Sequence, residues 1–241
     1  MSIAEKFEVI ADAVYEKGKK DEYDKFWDSF QRNGKRTEYH YSFLGYGWCT
    51  DIFYPKYDMK PEGSASSMFY AWTHSNSGTM DLTQRLEDCG VVLDTSKATN
   101  LSLIFAHNCR ISRIPAIDLT GVTTSGNTSG LFLGNYNVLK TIDKIIMNEN
   151  TPIQTNWFNE TTGLENLIIE GKIGKSNFKI STCTKLTKNS LLSILKALSL
   201  NITETKTITF STAHQSIIET DADCQIYWQS AKDAGWSFVY A

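Results

Sequence analysis

The sequence predicts an α/β fold in which successive coils each lay one short strand into a shared parallel sheet, and two observations carry that expectation. A leucine-rich spacing, L-x-x-L-x-L, occurs three times: at Ile114, Ile117 and Leu119, at Ile142, Ile145 and Met147, and at Leu164, Leu167 and Ile169. A phenylalanine precedes each copy (Phe105, Phe132 and Phe158), so the block recurs with a period typical of stacked units that share one core. The spacing has a mechanical cause. Side chains alternate along a strand, so the second and third apolar residues of the motif enter the core together, and the first enters from the turn before. The units are uneven, which stacking tolerates when extra residues loop out on one face.

At 241 residues the chain suffices for one large domain or two small ones. Hydrophobic residues at 41% and charged residues at 21% are ordinary for a globular protein; aromatic residues, at 12%, are abundant. A net charge of −3 argues against a basic nucleic-acid or anionic-membrane face, so no nucleic-acid partner is expected. No apolar run is long enough to span a bilayer, so no membrane insertion is expected. The charged start of the chain, Met1 to Glu8, lacks the apolar run of a secretory signal. Five scattered cysteines (Cys49, Cys89, Cys109, Cys183 and Cys224) with no C-x-x-C read as buried reduced thiols.

Residues 2–31 read as helix, because Ile3, Phe7, Ile10 and Val14 share one face and Phe26 and Trp27 belong to its resumption after Gly18. That apolar stripe needs a partner, either in its own domain or in a sister subunit, which makes residues 1–34 a candidate homo-oligomerisation segment. Residues 35–63 form an aromatic-rich connecting subdomain, with Tyr39, Tyr41, Phe43, Tyr46, Trp48, Phe53, Tyr54 and Tyr57 crowded together. Such a cluster is either a satellite core or a surface that stacks on sugars.

Residues 64–241 hold the coils and their cap. Met68–Trp72 and Leu82–Leu86 read as short helices, and Val91–Thr95 as a first strand. After the three clearer units, Phe178–Ser181 reads as a short strand. Leu186, Leu191, Ile194, Leu195 and Leu198 mark a helix beginning near Thr187. Thr205–Ser211 alternates, with Ile208 and Phe210 inward, a final helix spans roughly 219–234 before Gly235, and Trp236, Phe238 and Tyr240 alternate again. This last section reads as a cap over the open end of the core.

Catalytic patterns are sparse. His40, His74, His107 and His214 stand at no metal-ligand spacing, and a His107–Cys109 pair lacks a third group to orient the imidazole. Neither G-x-S-x-G nor a phosphate-binding glycine loop is present. The expectation is a non-enzymatic protein without cofactor or metal.

Several stretches together resemble irregular, surface-antigen-type leucine-rich-repeat proteins of gut bacteria and their phages and prophages. At the start they are Ile10 to Gly18 and Tyr23 to Asp28; at the end, Leu186 to Leu198, Lys206 to Phe210 and Ala231 to Trp236. The resemblance implies an irregular leucine-rich-repeat solenoid with a short parallel sheet, an N-terminal helical segment and a C-terminal α/β cap. It also implies a phage or prophage tail-associated protein, a host-recognition or virion component. Its partners would be a protein or glycan on the bacterial surface, or other virion proteins, and its place the virion. Two alternatives stand beside it: an exported adhesin-like protein of the bacterial cell surface, and an intracellular protein-binding scaffold.

The outward side of the strands is the expected binding face. Asp118, Lys144, Ile146, Asn166, Ile168 and Glu170 point away from the core there, with Ile146 and Ile168 as an apolar pair bordered by charges. Either a partner or another segment of the chain covers that pair.

Overall fold

A computed structural model describes residues 21, 55, 57–70, 79–108, 110–174 and 176–241. The expected oligomerisation residues Ile3, Phe7, Ile10, Val14, Phe26 and Trp27 lie outside the described residues, as do the aromatics at 39–54 and Cys109.

The central sheet is parallel and five-stranded. Strand β1 (Met80–Asp81) leads into helix α1 (Leu82–Cys89); β2 (Ile111–Ile114) and β3 (Ile117–Asp118) follow, then β4 (Thr141–Met147) and β5 (Asn166–Gly171). Strands β2 and β3 both pair with the same edge of β4, so they are two pieces of one rung interrupted at Pro115, which has no N–H to give a ladder. A second parallel sheet of β6 (Phe178–Lys179), β7 (Lys206–Phe210) and β8 (Trp236–Tyr240) has the order β6-β7-β8. Helix α2 (Lys188–Ala197) connects β6 to β7, and α3 (Gln215–Thr220) and α4 (Ala222–Asp233) connect β7 to β8.

The α/β class holds, but the leucine-rich-repeat solenoid does not: the architecture is a curled parallel sheet, a half-barrel, with four α-helices bounded among the described residues. The register shows one physical reason. Ile114 pairs with Ile142 and Ile142 with Leu167; Ile117 pairs with Ile145 and Ile145 with Ile169. The third copy of the spacing is therefore displaced by one motif position, and Leu164 falls before the strand. Two residues of β4, Asp143 and Lys144, stand against the single Ile168 of β5. Such a bulge bends the strand and increases its local twist. Rungs of two to seven residues then curl rather than repeat.

Local differences also trace to identifiable groups. Of the helix expected over Met68–Trp72, residues 68–70 form turns and 71–72 lie outside the described residues, and Val91–Thr95 contributes one bridge, Leu93 to Met59, instead of a strand. The final helix is two helices, because Asp221 caps the second: its side chain accepts from the backbone N–H groups of Asp223 and Cys224. Helix α2 begins after Thr187, whose hydroxyl accepts from the Ser190 N–H, and buries Leu191, Ile194 and Leu195.

The wall opposite the central sheet is made of turns, and its side chains form two buried columns. Phe69, Phe105, Phe132 and Phe158 stack at centroid spacings of 5.1, 6.2 and 5.4 Å. Three residues after the last three phenylalanines stand Asn108, Asn135 and Thr161, all buried. The Asn108 N–H donates to Asn135 Oδ1 at 3.0 Å, Asn135 Nδ2 donates to the Phe132 carbonyl at 2.8 Å, and Thr161 Oγ1 donates to that same carbonyl at 2.6 Å. The amide column satisfies backbone groups that the turns leave open, and the rings beside it supply the apolar burial. One continuous apolar cluster runs from Met59 to Trp236.

Candidate functional site

The outward side of the central sheet is organised by the register just described. Its first row is Asp81, Arg113, Thr141 and Asn166; its last is Asp118, Ile146 and Glu170. Between them, the bulge places Asp143 and Lys144 beside Ile168. Ile146 and Ile168 are thus diagonal neighbours, not a pair in one row, and Ile146 sits half-buried between two acidic residues. Ile168 is 52% exposed while its neighbours Leu167 and Ile169 are buried, so the alternation of β5 delivers it to solvent.

The charged residues of this face are tied to one another. Arg113 Nε donates to Asp143 at 2.6 Å while its guanidinium reaches Asp81 at 3.6 Å, and Thr83 Oγ1 donates to the other oxygen of Asp143 at 2.8 Å. The Asp143 hydrogen bond raises the Arg113 pKa above its ordinary value, so the guanidinium is charged at every working pH. Lys144 Nζ lies 2.5 Å from Glu170, and Lys140 3.5 Å from Glu165. Pairs as exposed as these contribute little stability; they hold side chains in place and neutralise the face.

The expected site residues therefore divide. Lys144, Ile146, Asn166, Ile168 and Glu170 share the outward face, and Asn166 reaches Thr141 across it at 3.5 Å. Asp118 is turned aside: its carboxylate accepts from the Thr120 N–H at 2.8 Å and the Thr120 hydroxyl at 2.6 Å, closing the turn after β3. Sequence reasoning missed Asp81, Thr83, Arg113 and Asp143, because their meeting depends on a register that hydrophobic spacing does not reveal. The Phe-x-x-Asn pattern at Phe105–Asn108 and Phe132–Asn135 was a usable signal for the amide column.

Among the described residues the cysteine thiols are held in their protonated form. Burial pushes the Cys183 thiol up to about 12, and its Sγ donates to the Thr161 carbonyl. Burial also raises Cys89 and Cys224. A thiol with a raised pKa is neither a nucleophile nor a ready metal ligand at neutral pH. His214 is buried with Nε2 2.8 Å from the Cys183 carbonyl, so that nitrogen carries the proton and donates. Among the described residues no group of three or more His, Cys, Asp and Glu side chains is placed to hold a metal ion, and no helix is long and apolar enough to cross a membrane.

Compared with known proteins, the chain matches no family model, no curated protein and no solved structure.

Proposed function

We propose that this chain is a non-catalytic binding protein whose outward sheet face meets a protein or glycan partner. The observation that carries the reading is Ile168: a half-exposed aliphatic side chain, fixed on a strand and framed by the paired groups Lys144–Glu170 and Arg113–Asp143. An apolar centre with a polar rim is the composition of a recognition patch. Ion pairs already formed within the face lower the ordering cost of meeting a partner. The phage or prophage tail-associated setting rests on the resemblance of both ends of the sequence, and the bacterial surface would then supply the partner.

The test is a titration of the full chain, wild type and Ile168→Glu, against bacterial surface glycans and immobilised envelope proteins. Saturable binding by the wild type, weakened by about tenfold or more in the variant at an unchanged unfolding midpoint, is the expected result. Equal binding by both proteins, or binding by neither, contradicts the reading. Tail, baseplate or lysis genes beside the coding sequence are expected for the tail-associated setting, and their absence there argues against it.

A further inference from the structure

Every strand bounded among the described residues carries a charged side chain except β8, Trp-Ser-Phe-Val-Tyr, and β8 lies at the edge of its sheet. That combination is unusual. Edge strands are normally blunted by charge, proline or cover, since their open N–H and C=O groups template further pairing. The other sheet is covered in this way. Thr95 Oγ1 accepts from the Asp118 N–H at 2.8 Å and donates to its carbonyl at 2.9 Å. Ser190 and Ser193 of α2 accept from the Leu167 and Ile169 N–H groups at 3.0 and 2.9 Å.

The orientation of the β8 backbone follows from its ladder with β7. The Ala241 N–H donates to the Phe210 carbonyl at 3.0 Å, and the Thr212 N–H donates to the Ala241 carbonyl at 3.3 Å, so both backbone groups of Ala241 face β7. In a parallel ladder alternate residues face one neighbour, so Ser237 and Val239 also face β7, and Trp236, Phe238 and Tyr240 turn their N–H and C=O groups away from it; Phe238 and Tyr240 are half-buried and Trp236 is buried. Among the described residues nothing pairs with those groups.

We infer that β8 is a self-association edge that pairs antiparallel with β8 of a second copy of this chain, about a two-fold axis at Phe238. The strand is its own complement. With the axis at Phe238, Trp236 falls opposite the second copy's Tyr240 and Phe238 opposite Phe238, and all three outward-facing residues become hydrogen-bonded pairs. Aromatic residues then meet aromatic residues on the inner face, where the Phe238 ring already stacks on Phe210 at 6.3 Å. On the outer face, exposed Ser237 meets exposed Val239. The edge is separate from the outward face of the central sheet and does not depend on what that face binds.

The test is light scattering of the full chain over a concentration series. The wild type is expected to reach twice 27.2 kDa. Ser237→Lys combined with Val239→Lys sets like charges opposite each other and is expected to weaken association by about tenfold or more. Ser237→Lys combined with Val239→Glu sets opposite charges together and is expected to restore it. A wild type of 27.2 kDa at every concentration overturns the inference, and so does undiminished association of the doubly basic variant. If that variant fails to fold, hydrogen exchange of the wild type decides. Protection of the Phe238 and Tyr240 amides that rises with protein concentration supports the pairing; fast, concentration-independent exchange there, beside protected Ser237 and Val239, overturns it.

Discussion

Gly171 shows how little freedom single residues have in a curled sheet. It ends β5 at a φ of +98°, and a Cβ there would stand 1.8 Å from the Met147 carbonyl oxygen, a backbone atom of the neighbouring strand. Gly171→Ala is therefore expected to destabilise the protein by roughly 3 kcal/mol or more, read as a lowered urea midpoint with an unchanged slope. Gly134 is a second case: its φ is +71°, and an added Cβ meets the His107 ring at 2.5 Å, a ring that itself packs edge-on against Tyr70. Neither requirement is visible in the sequence, because each depends on which atom the fold brings against the glycine. The buried asparagines were closer to legible. Their offset from Phe105 and Phe132 is constant, yet a polar residue beside a hydrophobic repeat reads as surface until the turn carbonyls that need donors are located.

At the scale of elements, α2 covers the edge of β5 without being a strand. Ser190 Oγ accepts from the Leu167 N–H at 3.0 Å and donates to the Glu165 carbonyl at 2.9 Å, completing at one point the ladder that another strand would supply. Ser190→Ala leaves a buried N–H unpaired and is expected to cost about 1–3 kcal/mol by chemical unfolding, with faster exchange of the Leu167 amide. A loss below a few tenths of a kcal/mol would show that water replaces the hydroxyl. The helix itself was legible from Thr187 and the stepping of Leu191, Ile194 and Leu195, and β7 from the alternation of Ile208 and Phe210. The register was not. Ile142-x-x-Ile145 and Leu164-x-x-Leu167 have the same spacing, but the N–H groups of Glu165 and Asn166 both donate to the Lys140 carbonyl, which starts β5 one motif position late. That displacement creates the bulge and aims Ile168 alone at solvent.

The whole molecule holds several carboxylates in their ionised form. Lys60 lowers the pKa of Asp58, Ser96 lowers that of Asp94, and Lys188 lowers that of Asp221 while itself being raised by Asp221 and Asp223. A depressed carboxylate adds stability that is present above its unfolded value, near 4, and is lost as the pH falls through the folded value. Across that window the unfolded chain binds more protons, so stability rises with pH. A raised lysine acts in the opposite range: its contribution is complete below about 10.4 and is lost as the pH climbs through its folded value. The thermal midpoint is accordingly expected to be level between about pH 5 and 9 and to fall on both sides. A midpoint that climbed steadily as the pH dropped below about 4 would contradict this assignment of the ion pairs.

Beyond stability, the molecule divides into an apolar interior that closes the fold and an outward sheet face that the interior does not need. Thermal unfolding of Ile168→Glu beside Ile169→Ala, adjacent residues of one strand, separates the two most directly. The exposed substitution is expected to stay within about 0.5 kcal/mol of wild type, and the buried one to cost about 2–5 kcal/mol. Equal destabilisation by both would mean that Ile168 is held inside the molecule, leaving no free face for a partner.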